Sequence, residues 1–533
     1  MNLKVDLFKN VIGSENIITE VEGLKRYHCT TIPEKRRIDA VLKPGNKEEI
    51  CEILKIANQN HIALYPISTG NNWGYGSAIP VKDNNVILDL GRLNRIIEVN
   101  TELAYAVIEP GVTQEQLYTY LKEKKTGLIM DPTGSGPSCS VLGNTLERGY
   151  GITPYGDHFN AACGMEIVLA DGEILRTGFG HFSNSKVTRV FKYGTGPYLD
   201  GMFTQSNLGI VISIGVWLMP EPEHFEVCFF GSDEKDALGE FVAATRWLLL
   251  NQVVKGSINI MHRNRILTLM MPYPWDEMNQ RIPLDDSISR QIAKQRDICE
   301  WNGVVALYGT REEVLASKKV IKRVLRGKTK RINFVSEQLL NLVEKYQWIM
   351  GPIGRMIGMD IKELIKVLRP SLDLMKGKPG EVSLPTPYWR SKKEMPEANI
   401  NPARDNCGII WLAPVVPLTK EDAEDYISII TPILNEYGFE VCITFTAVTA
   451  RAFDCTLPIL YDKADEQETN RAIECHKKAL KACMKNGYIP YRFGVQSMDD
   501  IVDADDVFWK VAGKIKESLD PNGIFSPKRY SLR

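Results

Sequence analysis

Residues 132–158, PTGSGPSCSVLGNTLERGYGITPYGDH, constrain the fold more than any other stretch of the chain. Glycines at 134, 136, 143, 149, 151 and 156 alternate with Ser138, Ser140, Asn144 and Thr153. Residues this small and this rich in side-chain hydrogen-bonding groups disfavour both a core strand and a regular helix. Long irregular segments inside compact domains are functional or disordered, and Leu142, Tyr150 and Tyr155 argue against disorder. A second segment has the same character. In residues 64–76, LYPISTGNNWGYG, a short apolar run enters Ser68, Thr69, Gly70, Asn71 and Asn72, with Gly74 and Gly76 following. Glycine admits positive φ and close backbone approach, so consecutive N–H groups can converge on an anion. No GxGxxG motif is present here and no GxxxxGK[ST] motif anywhere. A pair of exposed turns is the plain alternative. Backbone wrapped round a large, flat, polar ligand accounts for both segments at once.

Composition sets wide bounds. A chain of 533 residues exceeds one ordinary core, so two domains are expected. With 65 basic and 66 acidic side chains there is no field favouring nucleic acid or an anionic membrane. No apolar run reaches membrane-spanning length, and MNLKVDLFKN carries charge where a signal peptide needs an apolar stretch. The 11 cysteines are scattered, odd in number and without a CxxC pair. That pattern fits a reduced, cytoplasmic protein with buried thiols, and no metal site is expected.

Periodicity and punctuation give the organisation. Residues 47–60 read as an amphipathic helix with Ile50, Ile53, Leu54 and Ala57 on one face. Short strands are expected at 86–90 and 105–109, and Thr113 should cap a helix through Leu121, with Val112 stapling its entry. Asp171-Gly172 between two apolar runs is a hairpin signal, and 209–218 is a continuous apolar strand ending at Pro220. Pro220-Glu221-Pro222 reads as a domain boundary. Beyond it, strands are expected at 227–230, 252–261, 409–413 and 440–447. Helices are expected at 236–249, 311–325 and 420–437, with charged helical sequence running to Leu368 and a Pro-rich stretch at 379–402. This alternation describes an antiparallel sheet backed by helices, an α+β unit.

The two glycine-rich segments resemble the vanillyl-alcohol oxidase / p-cresol methylhydroxylase family of flavoproteins. So do LDLGRLNRIIEVN (88–100), VIEPGVT (107–113), GMEIVLADGEILRTG (164–178), GTGPYLDGMFTQSNLGIVISIGVWLMP (194–220) and DPNGIFSP (520–527). The likeness is dense over the first 220 residues, returns near the C-terminus and is general in the middle third. It implies a two-domain α+β flavoprotein: a PCMH-type FAD-binding domain over 1–222, a cap domain over 223–489, and a return to the FAD-binding domain over 490–533. It places FAD against Ser68, Thr69, Gly70, Asn71, Asn72 and Gly74. Pro132, Thr133, Ser135, Ser138, Ser140, Gly143, Asn144, Gly149 and Tyr155 follow, then Gly209, Ile210 and Val211. By motif, the family's phenol-binding tyrosines and arginine fall on Tyr75, Tyr491 and Arg492.

That set makes chemical sense. Removing a hydride from a benzylic carbon leaves a cation unless a para oxygen donates electrons to give a neutral quinone methide, so the phenol must ionise on binding. A tyrosine in a glycine loop is otherwise packing, and Arg492 is otherwise a counter-charge for the reduced flavin N1/C2 region. The implied partners are a small-molecule substrate and either oxygen or a separate electron acceptor, in a homo-oligomer.

The chain also departs from the family pattern. The family's covalent flavin attachment position falls near Ile409, which cannot form the bond, so the FAD should be dissociable. Ser135 stands where oxidase members place an aspartate, with Asp131 the nearest carboxylate. Asp454-Cys455 replace paired histidines: Cys455 reads as buried filler, Asp454 as a cap or a substitute acid/base. These changes leave open a non-phenolic alcohol or a natural-product intermediate as substrate, or a redox-silent flavin-binding protein.

Overall fold

The computed structural model describes residues 5–346 and 361–532. Three larger sheets organise the chain. The first has four strands in the order Ile17–Ile18, Ile38–Leu42, Asn85–Asp89 and Leu64–Ile67, the last three mutually parallel. A parallel pair needs a crossover, and the helix Lys47–Asn60 supplies it. It buries Ile50, Ile53, Leu54 and Ala57, and Asn46 caps it by accepting from the Glu49 N–H. Antiparallel pairing builds the second sheet, of five strands in the order Ile96–Asn100, Tyr105–Ile108, Ile210–Trp217, Ala162–Val168 and Ile174–Arg176. The Asp171-Gly172 turn joins its last two strands, as the dipeptide predicts. Thr113 caps the helix Gln114–Glu123 through the Gln116 N–H, and Val112 and Leu117 share one apolar cluster.

The third sheet is antiparallel and eight-stranded. Its path runs Arg331–Ser336, His224–Ser232, Trp301–Gly309, Ile258–His262, Thr444–Ala447, Ala452–Tyr461 and Gly408–Leu412, with Val415–Pro417 also on Ala452–Tyr461. Helices Ala237–Leu250, Lys420–Tyr437 and Glu466–Lys485 back it, Phe241, Tyr426 and Leu480 joining Ile260, Phe445 and Leu457 in one core. Residues near the C-terminus return to the first sheet and its loop. The Val495 N–H donates to the Tyr75 carbonyl at 3.0 Å, and the Ser526 N–H to the Leu64 carbonyl at 2.8 Å.

Several sequence expectations need correction. The charged stretch after Arg311 is not continuously helical: Arg331–Ser336 is an edge strand, half-buried and so without an apolar run. Part of that stretch lies outside the described residues. Strand structure at 252–261 is confined to Ile258–His262 and at 440–447 to Thr444–Ala447. Trp301–Gly309, buried along nearly its whole length between two strands, went unread because a continuous apolar run has no diagnostic period. Within 132–158 a six-residue helix, Val141–Leu146, does form, with Ser140 accepting from the Gly143 N–H. No helix among the described residues is long and apolar enough to cross a membrane.

Candidate active site

A cavity of about 520 Å³ is walled by both glycine-rich segments and by the eight-stranded sheet. Of the residues expected from sequence, Ser68, Thr69, Gly70, Asn71, Asn72 and Tyr75 line it. Pro132, Thr133, Ser135, Ser140, Gly143, Asn144, Gly149, Gly209, Ile210, Val211, Tyr491 and Arg492 also lie on the wall. Gly74, Ser138 and Tyr155 do not. Gly74, at φ +77°, lets the Trp411 ring sit where a Cβ would be, 2.1 Å away. Ser138 is exposed and accepts from the Asn71 side chain at 2.9 Å, and Tyr155 packs with the Phe225–Tyr308 cluster.

The polar core of the cavity is a cluster of tyrosines and arginines. Tyr75, buried, and Tyr491, half-buried, are hydrogen-bonding neighbours, and the Tyr491 ring lies 5.8 Å from that of Tyr150. Burial raises all three phenols above the ordinary tyrosine range, and Arg492 works against it at Tyr75 and Tyr491. Arg492 donates to Asn72 Oδ1 at 2.6 Å and pairs with Glu147 Oε2 at 3.2 Å. Glu147 also receives Arg529, which reaches on to the Tyr65 hydroxyl at 2.9 Å. Burial opposes ionisation of Glu147, but the two guanidiniums prevail and hold its carboxyl below the usual range. Two cations share one anion, so this corner carries an excess positive charge.

The opposite tendency appears at Asp454. Strand alternation along Ala452–Tyr461 sends Phe453, Cys455 and Leu457 into the helix-backed core and leaves Asp454 and Thr456 on the other face, where Thr456 reaches the cavity. Cys455 is thus the buried filler expected, and Asp454 sits mid-strand rather than capping a helix. Burial, with Asp157 nearby, pushes its carboxyl up to about 7. Asp131 is not on the cavity wall: it accepts from the Thr153 N–H and contacts His158 Nε2 at 3.1 Å. Sequence reasoning passed over Glu147, Arg529 and Arg265, which also line the cavity. Glu147 stands inside the quoted LERGYG run, but a lone acid there has no signature.

The segments fit FAD on their own geometry. The backbone N–H groups of residues 69–72 donate no hydrogen bond among the described residues, leaving a nest open to an anion. A Cβ on Gly143 would stand 2.9 Å from Ser68 Oγ, so glycine there lets the two strips approach closely at the cavity.

A nest of this kind beside a tyrosine–arginine cluster defines a flavin-linked oxidoreductase, and the comparisons agree. The FAD binding domain family matches residues 38–178. The chain is 33% identical over 527 residues to 1'-carboxy-chondrochloren decarboxylase of Chondromyces crocatus, covering 99% of this chain and 96% of that protein. It is 31% identical over 548 residues to the 4-cresol dehydrogenase [hydroxylating] flavoprotein subunit of Pseudomonas putida, covering 100% and 95%. The solved structure of p-cresol methylhydroxylase with substrate bound superposes with a TM-score of 0.88 at 30% identity, over 99% of this chain and 96% of that one. The 4-ethylphenol oxidase of Gulosibacter chungangensis, in an isoeugenol complex, gives a TM-score of 0.88 at 27% identity with the same coverage. The chain belongs to the vanillyl-alcohol oxidase / p-cresol methylhydroxylase family of FAD-dependent oxidoreductases.

Proposed function

We propose that the protein oxidises the α-carbon of a 4-substituted phenol by hydride transfer through a quinone methide. The observation that carries this reading is the convergence of Tyr75, Tyr491 and Arg492 in a corner where two guanidiniums face the single carboxylate of Glu147. A free phenol ionises near pH 10, and lowering that by ~3 units requires ~4 kcal/mol. Hydrogen bonds to a charged group supply ~1.5–3 kcal/mol each, so two hydroxyls and one guanidinium suffice. The residues of the two glycine-rich segments, with Gly209–Val211, would hold FAD, the nest at 69–72 taking its pyrophosphate. Bound FAD supplies the two-electron oxidant that accepts the hydride. Asp454 does not line the cavity, but it is close enough to Tyr150 and Tyr491 to act on their charges. It is therefore suited to receive through them the proton of the entering phenol or of the water that adds to the quinone methide.

The same reading divides the chain into FAD-binding residues 1–222 and 490–533 around a cap of 223–489. It takes the flavin as dissociable, since Ile409, near the position where the family attaches flavin through a His or Tyr, cannot form the bond. The cysteines, all unpaired, support a reduced cytoplasmic setting. Oxygen or a separate acceptor would take the electrons onward, and a homo-oligomer is the expected assembly.

A second reading keeps the site and discharges the quinone methide by loss of CO2 from the neighbouring carbon. It is supported by the decarboxylase named among the relatives. Anaerobic titration with a 4-alkylphenol and with its O-methyl ether tests the main reading. The phenol should bleach the flavin and the ether should not. Bleaching by both would remove the phenolate from the mechanism.

A further inference from the structure

Arg265, on the helix Arg263–Met270, lines the cavity with its guanidinium buried, and no carboxylate accompanies it among the described residues. The contrast with the other buried guanidiniums is sharp. Arg390 pairs with Glu440 and Glu468, Arg263 with Asp286 and Glu300, and Arg529 with Glu147. A buried cation without an anion is costly to keep. The protein nevertheless fixes this one in place: Nη1 donates to Thr268 Oγ1 at 3.0 Å and to Thr386 Oγ1 at 2.5 Å. Both hydrogen bonds leave from the same nitrogen. Nε is enclosed without a partner, while Nη2 makes no hydrogen bond among the described residues, so Nη2 is the nitrogen left to meet an anion in the cavity.

We propose that Arg265 binds a carboxylate on the substrate's side chain, making the preferred substrate an acid of the 4-hydroxyphenyl class rather than a neutral alkylphenol. The inference rests on the phenolate reading of Tyr75, Tyr491 and Arg492. Tyr150 links the two ends of the cavity. Its ring lies 5.8 Å from that of Tyr491 at a 55° tilt, and its hydroxyl is close enough to Arg265 for their charges to interact. Burial pushes the guanidinium down to about 10, so it stays charged at neutral pH and offers a full positive charge to an entering anion. Met261, Leu269 and Val304 contribute apolar wall to the same cavity, which strengthens an ion pair once water is expelled. Without Arg265 such a wall would reject a carboxylate, because stripping its water has no other compensation.

The test compares 3-(4-hydroxyphenyl)propanoate with 4-propylphenol, which match closely in shape. The ligands are titrated calorimetrically at neutral pH into the FAD-loaded protein, with the flavin chemically reduced beforehand so that no turnover follows. The parent protein should bind the acid at least about tenfold more tightly. Arg265→Gln should reverse that order, and Arg265→Lys should recover part of it, since the point charge remains without the fork. Tighter binding of 4-propylphenol by the parent, or equal losses for both ligands in Arg265→Gln, would overturn the proposal. The parent comparison decides the matter even if the Gln variant fails to fold. If both ligands bind as phenolates with no preference, only this inference fails. If neither binds or ionises, the phenolate reading fails first.

Discussion

The Arg492 guanidinium carbon stands 4.4 Å from the centroid of the Tyr75 ring, while its nitrogens reach Asn72 and Glu147. One side chain therefore fixes a ring and an amide from residues 64–76 and a carboxylate from residues 132–158. Arg492→Lys keeps the charge but loses the planar fork. It should lower turnover by about 2–4 kcal/mol of transition-state stabilisation, while Arg529 continues to satisfy Glu147. Steady-state kinetics and flavin content on the same preparation check this. A variant with full flavin and full rate makes Arg492 structural.

Removing single hydroxyls separates binding from packing. Tyr75→Phe and Tyr491→Phe leave the rings in place, so the fold and the flavin spectrum should barely change. Each should raise the pKa of a bound 4-alkylphenol by ~1 unit or more, because a unit is 1.36 kcal/mol and a hydrogen bond to a charged group exceeds that. Absorbance titration of the bound phenolate measures the shift. No shift in either variant returns the tyrosines to pocket walls.

Asp454 makes stability depend on pH in a defined direction. Its carboxyl titrates at about 7 in the folded chain against an ordinary 3.8. Between those values the folded state retains a proton that the unfolded state has released. The contribution is therefore fully present below about pH 4 and is lost as pH rises through 7. Asp454→Asn should remove that loss, gaining about 2–4 kcal/mol on the parent at about pH 9 relative to about pH 5. Urea unfolding at the two pH values reads it out. An identical difference at both would mean that water reaches the carboxylate.

Acid precipitation should leave the flavin in the supernatant. Ile409, near which the family resemblance puts the covalent attachment position, lines the cavity and carries no group that could form the bond. The Cys139 thiol, also on the wall, is pushed up to about 12 by burial and is a poor nucleophile. A yellow pellet would place a covalent bond in the chain.

What the sequence made legible follows the physics of each signal. The helix Lys47–Asn60 and the helix Lys420–Tyr437 were readable to the residue, because an apolar stripe at helical spacing is a local property. The glycine-rich strips pointed to the cavity wall because only closely approaching backbone needs so many glycines. The strand Arg331–Ser336 was hidden because its pairing partner lies a hundred residues earlier. Arg265 and Arg529 were hidden for a related reason. A guanidinium reads the same in sequence whether it meets solvent, a carboxylate or an empty cavity, and only the fold says which.

The central claim is that a hydride leaves the α-carbon of a bound phenolate. Anaerobic rapid mixing of the FAD-loaded protein with a 4-alkylphenol, unlabelled or with deuterium on the α-carbon, tests it most directly. The flavin band should bleach with both and severalfold more slowly with the deuterated substrate, since breaking that C–H bond is the chemical step. Bleaching by a non-phenolic alcohol, with none from any 4-alkylphenol or 4-hydroxyphenyl acid, would contradict it.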